Sequence, residues 1–282
     1  MSKLLFSLVL LFALPAHAEV NVTREIHYGP DALQTVDVYQ PDSCKNKSCP
    51  VTMWVHGGGW KRGDTGGQKS AEMQEIWASQ GIVMVGVNYR LSPGHMHPIH
   101  VQDVAAAINW VHQNIGGYGG DQNRISLLGH SAGAQLVALV ATNPRYLAAY
   151  NLSPKKNIVN VFPVDTASFD LTSPSRFVAK RVKSAFGTND AMLRDASPIW
   201  NVTSGGSYPA FIIATAQVRK DAVATSETLQ KKLRSAGAFA DLMVIDYPGV
   251  GQLKAHSMIA EELADLNSQM TKALLERVLK ES

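Results

Sequence analysis

The reading of the fold turns on Ile125-Ser126-Leu127-Leu128-Gly129-His130-Ser131-Ala132-Gly133, which runs on into the helical pattern of Ala134–Ala141. Ile125–Leu128 is a short apolar run of the kind a buried strand makes, and the residues after Ser131 carry small and apolar side chains suited to a helix. A serine between strand and helix, flanked at two residues on either side by glycine, is the pattern of a nucleophile elbow. The glycines let the two backbones pass closely. The turn lifts the Ser131 hydroxyl out of the sheet and over the start of the next helix, whose dipole favours developing negative charge. Ser131 is the expected nucleophile.

Upstream, the apolar strand Val51–Val55 ends in His56-Gly57-Gly58-Gly59-Trp60. Attack of a serine on a carbonyl leaves negative charge on oxygen, and preorganised N–H donors must meet it. A glycine run can turn several amides into one small volume. The amides of Gly58 and Gly59, with that of Ala132, form the expected oxyanion hole. Trp60 beside this loop is read either as pocket lining or as core.

Further strands are expected at Thr35–Gln40, Ile82–Val87, Ile158–Phe162, Ala210–Ala214 and Leu242–Asp246. Helical patterns cover Val101–Ile115, Ala132–Ala141, Ala222–Ala236 and Met258–Leu279. Strands alternating with helices predict an α/β class fold with a mostly parallel sheet and helices on both faces. Without a repeat or long linker, residues 19–282 are expected to form one domain, with a small cap region around 163–209.

His-Gly-Gly-Gly-Trp followed by Gly-His-Ser-Ala-Gly resembles the α/β-hydrolase esterases related to hormone-sensitive lipase, kynurenine formamidase and the bacterial feruloyl-esterase-like proteins. The segments Asn88-Tyr89-Arg90-Leu91, His97-Pro98, Asp103-Val104-Ala105-Ala106-Ala107 and Gly119-Gly120-Asp121-Gln122-Asn123-Arg124-Ile125 extend the resemblance. It implies the α/β-hydrolase fold and a cofactor-free serine esterase acting through a Ser-His-Asp triad. The short stretch before Val51, which lacks an amphipathic helical pattern, and the polar segment Pro163–Pro209 point to small or aryl esters rather than long-chain lipid. An arylformamidase or amidase on the same triad, or a non-catalytic binding protein, are the alternatives. On this fold the acid and then the histidine follow the serine. His256 is the sole histidine after Ser131, and it falls where the family's histidine loop comes. The family's acid lies in the loop after the strand that corresponds to Ala210–Ala214, which points to Asp221. The usual glycine ahead of it is absent, and Arg219 and Lys220 stand beside it. Asp190 and Asp195 come too early, and Asp170 resembles a structural position of the family.

The 282-residue chain has 45% hydrophobic and 17% charged residues, a globular balance. Its net charge of +3, with no dense Lys/Arg run, argues against nucleic acid as a partner. At the N-terminus, Lys3, the apolar run Leu4–Leu14 and Ala16-His17-Ala18 have the order of a signal peptide over residues 1–18. The run is too short for a transmembrane helix. A periplasmic or secreted protein with no membrane anchor in its mature form is expected. In that setting Cys44 and Cys49 can close a small disulfide loop. His95, His97 and His100 cluster without a carboxylate pair, which favours a structural role over a metal site. Asp103 is expected to support loop packing.

Overall fold

The computed structural model describes residues 19–280 except 177, so the expected signal peptide lies outside the described residues. The apolar runs become strands because each can bury side chains on both faces only inside a covered sheet. The strands are β1 (Val20–His27), β2 (Thr35–Pro41), β3 (Cys49–Val55), β4 (Val83–Val87), β5 (Gly120–His130), β6 (Asn160–Val164), β7 (Ala210–Ala216) and β8 (Ala240–Ile245). They form one sheet in the order β1-β2-β4-β3-β5-β6-β7-β8. Pairing is antiparallel from β1 through β2 to β4 and parallel across the rest.

Helices cover both faces: α1 (Gln68–Ala78), α2 (Ile99–Asn114), α3 (Ala132–Thr142), α4 (Arg145–Ala148), α5 (Pro154–Asn157), α6 (Ala179–Phe186), α7 (Asp190–Asp195), α8 (Pro198–Asn201), α9 (Lys220–Ser235), α10 (Gln252–Glu262) and α11 (Gln269–Lys280). Strand alternation divides the core in two. Met53 and Val55 join Ile108 of α2, Leu136 of α3 and Leu229 of α9 in one cluster. Trp54 between them joins Trp77 of α1, Ile259 of α10 and Leu274 of α11 in the other.

Three elements depart from expectation. β1 is an edge strand with most residues at least partly exposed, so it lacks a buried run. α1 has weak apolar periodicity and is held by Met73 and Trp77. The long helix expected over Met258–Leu279 is broken into α10 and α11. There the Asp265 side chain accepts from the Asn267 amide at 2.8 Å. Trp77 Nε1 and Thr271 Oγ1 donate to the carbonyls of Leu263 and Glu262, at 2.7 and 2.6 Å. A side chain that bonds local backbone competes with helix continuation. Between β6 and β7 the chain forms α6, α7 and α8, and Val178 and Arg181 from this segment line the cavity above Ser131. Cys44 and Cys49 are joined as a disulfide. Among the described residues no helix is long and apolar enough to cross a membrane.

Candidate active site

Ser131 sits between β5 and α3 with φ 57° and ψ −115°, a backbone conformation that non-glycine residues rarely adopt. Such strain persists only where the surroundings over-determine it. Here the Ser131 amide donates to the Val164 carbonyl at 2.9 Å. A Cβ on Gly129 would lie 2.5 Å from the Gly133 oxygen, and one on Gly133 would lie 2.0 Å from the Val55 oxygen. Both glycines are demanded by close backbone approach rather than by the turn alone.

His256, in α10, brings Nε2 to 3.0 Å from Ser131 Oγ. Its Nδ1 lies 2.6 Å from Oδ2 of Asp165. This corrects the expectation that Asp221 would orient the histidine. Asp165 directly follows β6, and β6 is the neighbour of β5, with Val164 paired to His130. Sheet register thus sets Asp165 alongside Ser131. Asp221 instead lies in the first turn of α9, where its Oδ1 accepts from the Ala222 amide at 2.9 Å while its side chain faces the cavity. The sequence does hold a clue in Phe162-Pro163-Val164-Asp165, an acid closing a buried apolar run. The strand next to the serine's own strand could not be known without the strand order.

Asp165 is fully buried, and each carboxylate oxygen is engaged. Oδ1 accepts from Thr215 Oγ1 at 3.0 Å and from the Ala216 amide at 3.1 Å. Oδ2 accepts from His256 Nδ1 and from Arg219 Nη1. Burial alone would raise its pKa, but the bond from His256 and the charge of Arg219 outweigh it and hold the carboxyl far below the ordinary carboxylate range. With Asp165 ionised and accepting at Nδ1, the imidazole presents an unprotonated Nε2 to the Ser131 hydroxyl.

The ring of His130 lies against that of His256, with centroids 4.5 Å apart. His130 Nε2 lies 3.1 Å from the His256 carbonyl oxygen, so as a donor it ties α10 to the elbow. Burial, then the neighbouring His256, push the His130 pKa down to about 3, so its ring stays neutral. His130, Asp165 and His256 bring potential metal-ligating atoms within 4.8 Å of one another. His256 spends its two nitrogens on Ser131 and Asp165, and a guanidinium occupies the carboxylate, so the set suits proton transfer rather than a cation.

Gly58, Gly59 and Ala132 line the same cavity of about 510 Å³ as Ser131 and His256. Gly58 and Gly59 have φ of 106° and 63°, so the loop takes a path closed to most other residues. Trp60 fills both roles open to it: it lines the cavity while 2% exposed, with Nε1 donating to Gln135 at 3.1 Å. The histidine cluster has separate partners, since His97 meets Asp195 at 2.8 Å and His100 meets Ser92 at 3.0 Å. Asp103 receives the Arg90 guanidinium at 2.6 and 2.9 Å, which fixes a loop. Asp170 accepts from Thr172 and Trp200.

An eight-stranded, mostly parallel sheet with a strained serine between β5 and α3 defines an α/β-hydrolase. The chain belongs to the BD-FAE family, whose model matches residues 36–233. It is 33% identical over 201 residues to esterase LipC of Mycobacterium tuberculosis, covering 67% of this chain and 49% of that protein. To esterase LipQ of the same organism it is 31% identical, covering 77% and 53%. The chain thus spans about half the length of these curated relatives. Among solved structures, esterase B of Lactobacillus rhamnosis matches with TM-score 0.74 and 21% identity, covering 93% of this chain and 87% of that one. A truncated carbohydrate esterase from gut microbiota matches with TM-score 0.75 and 17% identity, covering 95% and 98%. At these identities the structural matches speak for the fold.

Proposed function

We propose that the protein is a serine carboxylesterase in which Ser131 is the nucleophile, His256 the base and Asp165 the acid. The observation that carries this reading is the unbroken chain from Ser131 Oγ through His256 to Asp165, at 3.0 and 2.6 Å. His256 takes the Ser131 proton as Oγ attacks the ester carbonyl. The amides of Gly58, Gly59 and Ala132 hold the oxyanion. His256 then protonates the leaving alcohol, and water activated by the same histidine releases the acid. The names of LipC and LipQ support ester chemistry.

The substrates are small or aryl esters. Thr166, Ser168, Arg181 and Gln252 set polar groups into a cavity that Trp60, Val178 and Leu253 also line, and its volume of about 510 Å³ suits a compact acyl or aryl group. The leader-like pattern of residues 1–18, together with the disulfide, supports export to the periplasm or the medium. Hydrolysis of p-nitrophenyl esters, paired with fluorophosphonate labelling, tests the reading. Activity should peak at about C2 to C4, and the Ser131→Ala variant should neither label nor turn over. An unlabelled wild type would overturn the mechanism. A peak at about C10 or longer would overturn the substrate class alone. Intact mass of exported material should correspond to a chain beginning at Glu19.

A further inference from the structure

The loop after β7 contributes a guanidinium where the proton relay ends. Arg219 precedes α9, and its side chain is 11% exposed. Its Nη1 donates to the backbone carbonyl of Asp165 at 3.0 Å and to the Oδ2 of the same residue. One guanidinium nitrogen therefore holds both the peptide and the side chain of Asp165. That residue has φ 53°, so its backbone needs such over-determination. The same Nη1 lies 2.6 Å from His256 Nδ1. In the tautomer that leaves Nε2 free for Ser131, Nδ1 is itself a donor, so the contact sets two donors against each other with Asp165 as their shared acceptor.

We infer that Arg219 is a positioning residue: it clamps Asp165 in register with His256, through the peptide and the side chain at once. This rests on the triad reading above.

Other groups face the imidazole as well. Asp165 comes from the β6 loop, His130 from the end of β5 and Ser131 from the elbow. Arg62, Arg181 and Asp221 line the cavity that His256 faces, and Tyr247 lies close enough to Asp165 to feel its charge. Asp165 is the one anion in hydrogen-bond contact with the ring, and Arg219 is the one cation within 3 Å of it among the described residues.

The test is the split between kcat and KM for p-nitrophenyl acetate with wild type, Arg219→Lys, Arg219→Gln and Arg219→Met. Arg219→Met removes the clamp, so its kcat should fall about tenfold or more while KM changes little. Arg219→Gln should lose kcat in the same way and serves if the methionine variant does not fold. Arg219→Lys keeps a cationic donor for Asp165 and should recover part of the lost kcat. An unchanged kcat in the folded neutral variants, or a loss carried by KM alone, would overturn the clamp. Asp165→Asn, run in parallel, keeps the two readings apart. If it stays active, the triad assignment fails; if it is dead while the neutral variants behave as wild type, the role of Arg219 alone fails.

Discussion

Two loops leave the sheet side by side, one after β6 and one after β7, and each carries an aspartate near the cavity. Asp165 is fully buried, bonded through both oxygens and in contact with His256. Asp221 is half-buried and spends its bond on the next amide of its own helix. A carboxylate in the right vicinity is therefore not enough. The one that meets the imidazole emerges directly from the strand next to the serine's own, so that register fixes its distance. The other has run on into a helix, and the loop's contribution to the relay is Arg219 instead.

The sharpest way to break this contrast is to neutralise each acid in turn. Asp165→Asn should lower kcat by about 10³ to 10⁴, because the amide no longer fixes the tautomer or stabilises the imidazolium. Steady-state kinetics on p-nitrophenyl acetate checks it. A near-normal Asp165→Asn beside a dead Asp221→Asn would invert the comparison.

Enclosure of a polar group should also carry a cost in acid. His100 is fully buried, and burial pushes its pKa down to about 4 from an ordinary 6.5. Between those values the unfolded chain takes up a proton that the native ring refuses. Stability is thus complete above about pH 6.5 and is lost as pH falls towards 4, by up to about 3 kcal/mol from this residue. Urea unfolding at pH 7 and pH 5 should show a smaller difference in His100→Gln than in wild type. An equal difference would mean that another group carries the acid sensitivity.

A control comes from a loop outside the catalytic cavity. Cys44→Ser with Cys49→Ser opens a short loop on the segment that leads into β3. In the chain-entropy model that should cost about 2 kcal/mol or less, with kcat unchanged. A large loss of activity would show that the cavity depends on this loop. The smallest effect belongs to Asp221→Asn, for which kcat/KM should change by less than about tenfold. A larger loss, confined to KM, would give Asp221 a part in holding substrate.

Several features were legible in the residues because each rests on a local demand. The elbow needs glycine on both sides of Ser131, where a Cβ would strike backbone. The loop Gly57-Gly58-Gly59 needs positive φ at two of its positions. His256 follows from being the last histidine available. The seven strands expected from apolar runs appear, with ends moved by up to five residues. What escaped were elements whose signal is not local. β1 is a half-exposed edge, α1 is held by a few large residues, and at the break between α10 and α11 Trp77 reaches in from α1 to the Leu263 carbonyl. The acid escaped for the same reason. Sequence alone offered aspartates after two strands, and both precede His256 as the fold requires. Only the tertiary structure could choose, because the choice depends on which strand lies beside β5 and in what register, and parallel pairing joins segments that nothing in their own residues marks as neighbours.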